Sequence, residues 1–369
     1  MDQNIPLIVN RGADIEAPNA TGETPVFSAV KNNSPSTIRV LRGQGAQVTA
    51  RDLLGNSTLH AAVRWQAPKA AEELIAMGVD INAHALNGKT PLHDAVRLGI
   101  SDVEAILINK KADLEVRDAE GNTPVMEATI AGFTPAVERL VAKGADPLTR
   151  NARGDTPLHI SVAAQREPLV TKLLGWGASI HARNAQGMTP FRLALETSPN
   201  MVATLLTRDR ITIADDDGFA PLHIAIQSGA SLDIIKVIVD KGARIAAVDR
   251  EGWTPLRTAV DLNNWETAQF LIDKGANVFA VAADGRSPAV VALSKGNEAI
   301  RSFFTSKAIN AQDASGNTIL HHAAQSGTPL AVNLLIDLGA DKNIKNIAGD
   351  NPAAIAGRWR RNDLVSILR

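Results

Sequence analysis

Residues 88–95 read Gly88-Lys89-Thr90-Pro91-Leu92-His93-Asp94-Ala95, and the Thr-Pro-Leu-His core returns complete at Thr156-Pro157-Leu158-His159. Degenerate copies stand at Ser57-Thr58-Leu59-His60, Ala220-Pro221-Leu222-His223 and Thr318-Ile319-Leu320-His321. Each copy follows a glycine, and eleven such glycines (Gly22, Gly55, Gly88, Gly121, Gly154, Gly187, Gly218, Gly252, Gly285, Gly316 and Gly349) lie 33, 33, 33, 33, 33, 31, 34, 33, 31 and 33 residues apart. A fixed period of this size marks a solenoid, in which each repeat packs on its neighbours and cannot bury its apolar face alone. A globule of 369 residues would divide into two or three domains. The unbroken period predicts one elongated domain over residues 1–369 instead.

Within each repeat the pattern is turn, helix, short loop, helix. Nine of the 18 prolines are the second residue of the tetrapeptide (Pro25, Pro91, Pro124, Pro157, Pro190, Pro221, Pro255, Pro288 and Pro352), and six more (Pro35, Pro68, Pro135, Pro168, Pro199 and Pro329) open the second helix. Proline suits a first helical position because its φ is preset and its missing N–H would have had no partner there. The preceding threonine is then the N-cap, contributing ~1 kcal/mol. Second helices carry apolar pairs such as Leu173-Leu174 and Leu334-Leu335. First helices carry small residues such as Ala61-Ala62 and Ala323-Ala324, which allow close approach.

The Thr-Pro-Leu-His-x-Ala pattern at this period, with steps such as Gly12-Ala13-Asp14, Gly144-Ala145-Asp146 and Gly339-Ala340-Asp341, resembles the ankyrin repeat. The resemblance covers nearly the whole chain. It implies an all-α solenoid of about eleven helix-turn-helix units joined by β-turn or hairpin-like loops. It also implies a non-catalytic protein–protein interaction scaffold that binds a protein or peptide partner on its concave face. The alternative it leaves open is a regulatory array belonging to a larger enzyme or channel. Residues 1–11 match only a second helix, predicting a partial preceding unit and a start inside a longer protein. Residues 351–369 supply two helices whose Arg358, Arg360, Arg361 and Arg369 suit the polar face of a capping repeat.

Two repeats, those opened by Gly187 and Gly285, are two residues short. There Leu206-Thr207-Arg208-Asp209-Arg210 and Phe304-Thr305-Ser306-Lys307 replace the usual Gly-Ala step. Loss of these turn glycines predicts altered local stacking and weaker seams.

Little in the sequence points to chemistry. Net charge is −1, so the chain as a whole exerts no pull on nucleic acid or anionic lipid. No apolar run reaches the length of a membrane span. Cysteine is absent, which removes disulfides, thiolate nucleophiles and cysteine metal sites. His60, His93, His159, His223 and His321 share the fourth place of the tetrapeptide, one per repeat, about 10 Å or more apart. Zinc ligands must lie within about 2 Å of one centre, so the column is expected to be structural, as the resemblance also implies. Gly88-Lys89-Thr90 mimics the end of a phosphate loop, but Ala83 stands where the first glycine would be. The acidic run Asp215-Asp216-Asp217 falls in a turn. No catalytic residue, cofactor, metal or small-molecule substrate is indicated, and no nucleic-acid partner.

Partner-binding residues are expected where columns of the repeat depart from pattern. Four residues before the glycine stand Arg51, His84, Arg117, Arg150 and Arg183, a basic row in repeats 2 to 6 that could attract an acidic segment. The resemblance supplies a competing reading, since arginine is frequent at this turn position and the following Asp52, Asp118, Asn151 and Asn184 could neutralise or orient it. One residue after the glycine stand Met188, Phe219 and Trp253 in repeats 6 to 8, among polar residues in the other repeats. A consecutive apolar trio at exposed tips would mark an interaction site, with tryptophan its strongest anchor. The competing reading is that it packs on the next turn. The predicted partner-binding set is therefore Met188, Phe219, Trp253, Arg117, Arg150 and Arg183.

Overall fold

The computed structural model describes residues 5–369, and among these every regular element is helical, with one isolated bridge between Arg51 and Ser57. The chain falls into two compact bodies, Met1–Leu193 and Ala194–Arg369. Their division lies inside the helix Pro190–Thr197 of repeat 6, the first of the two short repeats. The predicted partial unit begins with the helix Ile5–Asn10; residues 1–4 lie outside the described residues.

All nine tetrapeptide prolines begin a helix. Of the six expected to open second helices, Pro35, Pro68, Pro199 and Pro329 are first, while Pro135 and Pro168 are second behind Thr134 and Glu167. Helices this short are marginal alone; packing holds them. Leu59, Leu92, Leu158, Leu222, Leu256 and Leu320, the third tetrapeptide residues, are at most 1% exposed. In the second helices Ile38, Leu74, Leu107, Leu140, Leu173, Ile238, Leu271 and Leu335 are wholly buried. Each contributes about 1.5–3 kcal/mol by leaving water.

The two-residue deficit of the short repeats sits in the second helix. Pro199–Leu205 and Asn297–Phe303 have 7 residues where the second helices of repeats 1–5, 7, 8 and 10 have 9, such as Thr134–Ala142. A regular second helix closes with a left-handed residue, Lys111 (φ 66°) in repeat 3 and glycine in the others, as Gly144 (φ 101°) does while Ala145 N–H donates to Leu140 O at 3.0 Å. In the short repeats Leu206 and Phe304 follow the helix instead, both buried.

Candidate recognition surface

The turn before each first helix is built by its own acid or amide. Asp118 Oδ1 accepts the N–H groups of Glu120 and Asn122 at 2.9 Å, and Asp118 N–H donates to Asn122 O at 3.0 Å. This closure needs the left-handed Gly121 (φ 76°), where a Cβ would also stand 2.6 Å from Ala152 N. That crowding reflects a bond between tips: Ala152 N–H donates to Glu120 O at 3.0 Å, as Ala119 N–H does to Asn87 O at 3.1 Å. Successive turns of the N-terminal body are thus stitched main chain to main chain.

The basic row forms a second line of stitching. Arg117 Nη1 donates to Gly121 O of its own turn at 2.9 Å and to the carbonyl of Arg150. Arg150 Nη1 donates to Gly154 O at 3.1 Å and to the carbonyl of Arg183. Arg51 bonds Gly55 O and His84 O in the same way, and His84 Nδ1 lies 2.8 Å from Gly88 O. All five side chains of the row are exposed. The neighbouring carboxylates turn away from it. Asp52 and Asp118 are buried, accept their own turn's N–H groups, and pair with Arg64 (3.2 Å) and Lys89 (3.2 Å) respectively. Burial pulls the Asp118 carboxyl upward, but the Asn122 N–H and the Lys89 ammonium outweigh it and hold it below the ordinary value.

The position after the glycine turns inward, toward the first helix. Asn56 and Asn122 there are 8% and 1% exposed, and Lys89 reaches Glu127 Oε1 at 2.6 Å beneath the turn. Met188, in the N-terminal body, and Phe219 and Trp253, in the C-terminal body, are all half-buried. The Phe219 ring lies 6.3 Å from His223, and Trp253 lies 4.6 Å from the Arg257 guanidinium.

The histidine column is a set of bolts between repeats. His159 Nδ1 accepts from the Thr156 N–H at 3.1 Å and from its hydroxyl at 2.8 Å, while Nε2 donates to Met188 O in the next repeat at 3.1 Å. A carbonyl can only accept, so Nε2 carries the proton. His60, His93 and His321 repeat the arrangement toward Lys89, Asn122 and Asp350 carbonyls at 3.0 Å. Burial lowers the pKa of all five column histidines, His223 included, with the carbonyl bond opposing. Among the described residues no three His, Asp or Glu side chains are grouped to hold a metal. No helix among them is long and apolar enough to cross a membrane.

One apolar patch lies in a column outside the predicted partner-binding set. Two residues before the turn glycine most repeats carry alanine, but Leu53 and Leu86 stand there in repeats 2 and 3, with Leu54 beside them. They are 70%, 79% and 65% exposed, and Leu86 N–H donates to Leu54 O at 3.0 Å, which makes them neighbours. Further along the same body, tips and first helices of repeats 4 to 6 enclose a concavity of about 590 Å³ lined by Glu120, Arg153, Asp155, Ile160 and Leu193 among others. There Asp155 is held by Asn184 (2.7 Å) and Arg153 (3.1 Å).

Comparison with known proteins gives a consistent result. The family model of ankyrin repeats (three copies) matches residues 3–85, 54–118, 92–184, 158–249, 191–282 and 275–346. The chain is 28% identical over 160 residues to the B-cell lymphoma 3 protein homolog of Mus musculus, spanning 43% of this chain and 28% of that protein. It is 31% identical over 154 residues to the B-cell lymphoma 3 protein of Homo sapiens, spanning 42% and 26%. These matches span little more than a quarter of the relatives' length. Among solved structures, the ankyrin repeat domain of Bcl-3, described as a unique member of the IkappaB protein family, superposes with a TM-score of 0.51 at 26% identity, covering 55% of this chain and 91% of that one.

Proposed function

This chain belongs to the ankyrin repeat family, and from that premise we propose that it is a non-catalytic scaffold whose turn tips and first helices bind a protein or peptide partner. The observation that carries this reading is the trio Leu53, Leu54 and Leu86, large apolar side chains held adjacent and mostly exposed at the tips. Scattered exposed leucines are ordinary, but a contiguous group marks an interaction surface. The concavity below the tips of repeats 4 to 6 belongs to the same surface in this proposal. So do Arg117, Arg150 and Arg183 in the N-terminal body, and Met188, Phe219 and Trp253 on the inward side of their turns. That the repeats of both bodies act as one array is part of the same reading.

Affinity capture with the intact chain tests it, run beside three variants: Leu53→Ser with Leu86→Ser, Arg117→Glu with Arg150→Glu and Arg183→Glu, and the control Lys110→Glu with Lys143→Glu at exposed ends of second helices. The expected result is a protein held by the intact chain and the control but released by at least one tip variant. Release by the control alone, or by none of the three, places recognition away from the tips.

A further inference from the structure

The basic row has a geometry that selects more than charge. Arg51, Arg117 and Arg150 each spend Nη1 on two carbonyls, one from their own turn and one from the next repeat. Among the described residues nothing engages their Nε and Nη2 donors. A guanidinium pinned along one edge presents the other as a fixed two-donor fork, the geometry that matches a carboxylate. Much of the entropy that an exposed arginine loses on binding has been surrendered in folding. The adjacent Asp52 and Asp118 face inward and do not pair with the forks, and the carboxylate within electrostatic range of Arg117 is that of Glu115.

The positions of the row recur once per repeat, about 10 Å apart by helix spacing. An extended strand cannot match this period: its same-face side chains recur at about 6.7 Å and 13 Å. A polyproline II helix can, because three residues per turn at 3.1 Å put every third side chain on one face about 9.3 Å apart. Over the three steps from Arg51 to Arg150 the mismatch accumulates to about 2 Å, within the reach of these side chains.

We infer that the tips of repeats 2 to 5 read an acidic polyproline II segment of a protein partner, with a carboxylate at every third residue. The inference rests on the recognition reading above and specifies its partner chemistry. His84 is the weak position of the row, since its ring stands where the other repeats place a guanidinium.

The test is fluorescence anisotropy of the whole chain with labelled peptides of about 13 residues, one carrying Glu at every third place with Pro between, the other of equal composition with its Glu residues clustered. The periodic peptide is expected to bind about tenfold more tightly at low salt, the three pairs to Arg51, Arg117 and Arg150 each contributing a factor of about 1.5–5. Salt should weaken it, as screening acts within about 10 Å at 0.1 M. His84→Arg should strengthen it a few-fold, a gain that misfolding cannot imitate. Arg117→Gln with Arg150→Gln should weaken it, with the melting temperature measured alongside. Equal binding of the two peptides, equal binding of a single-stranded oligonucleotide of the same charge, or no gain from His84→Arg overturns the inference. If the periodic peptide shows no preference while the arginine variants still release a captured protein, the register is wrong and tip recognition stands. If capture is also indifferent to every tip variant, both fail.

Discussion

Repeats 5 and 8 close the same gap with different chemistry. In repeat 5, His159 reaches the carbonyl of Met188, 29 residues on. In repeat 8 the fourth tetrapeptide place holds Arg257, and its Nη1 reaches the carbonyl of Arg286, also 29 residues on, at 3.0 Å. What the fold demands at this place is a donor for the next repeat's carbonyl, and imidazole is only one way to supply it. The two donors impose different surroundings. The histidine is neutral, and Thr156 completes its bonding. The arginine is 3% exposed and must keep its charge, so the neighbourhood changes with it. Asp284 pairs with Nη2 at 2.8 Å, Asp261 with Nε at 3.3 Å, and Trp253 lies against the guanidinium. The Arg257 hydrogen bond in turn holds the Asp284 carboxyl below its ordinary value.

The largest test removes what the two repeats share. Leu158 and Leu256 stand one place before the donors and are 0% and 1% exposed. Truncating either to Ala should cost ~2–5 kcal/mol, as for other buried leucines. Denaturant unfolding of the two variants checks it. A much smaller loss in one repeat would show that its stability rests on the polar bolt and not on the core beneath.

Exchanging the donors should cost less, at about 1–3 kcal/mol each, the range for a buried carbonyl or charge left badly paired. His159→Arg buries a charge without repeat 8's two aspartates, and Arg257→His leaves Asp284 and Asp261 without their partner. Adding an acid at Gln186, the place in repeat 6 that Asp284 holds in repeat 9, should recover part of the loss in His159→Arg. No recovery would mean that the carbonyl contact alone, and not the charge balance, decides the exchange.

The donors also differ in their response to pH. Burial lowers the folded pKa of the column histidines, so the unfolded chain binds protons more readily. Their contribution is complete above the unfolded value of about 6.5 and is lost as pH falls below it, at up to about 1.4 kcal/mol per pH unit for each histidine. Urea midpoints between pH 8 and 5 should therefore fall less steeply for His159→Phe than for the parent chain. Parallel curves would show that His159 is not held neutral.

Much of this was legible in the sequence, and the illegible part has a physical pattern. The turn glycines, the helix-opening prolines and the buried third leucine follow from local rules, since each is fixed by its own φ or by apolar spacing. His159 was readable as structural because its place recurs. Two things were not readable. Spacing from Gly252 says which repeat Trp253 belongs to, but not which side of the turn it faces; the turn alternates sides, and this place points inward. Leu53 and Leu86 face out from the other side, and the alanines at the same offset in most other repeats were the signal. The stitching by Arg117 and Arg150 was hidden for another reason. Its acceptors are backbone carbonyls, which every residue has and no side-chain pattern reveals.

Trp253 carries the smallest expected effect on stability. Its ring lies 4.6 Å from a buried guanidinium that already has a carbonyl and two carboxylates, so the ring supplements a bonded charge. Trp253→Ala should cost about 0.5–1 kcal/mol, the range for a cation–π contact near the surface, and Trp253→Phe should retain part of it. A double-mutant cycle with Arg257→Met isolates the term, because a ring that acts through the guanidinium has no coupling left once that charge is gone. The same variant separates packing from recognition. If Trp253 also anchors the proposed partner, its loss should weaken binding by about 2 kcal/mol or more, well beyond its stability cost. A binding loss no larger than that of Arg257→Met would mean that the tryptophan serves the bolt of repeat 8, and that the anchors lie among the exposed leucines and arginines of the N-terminal body.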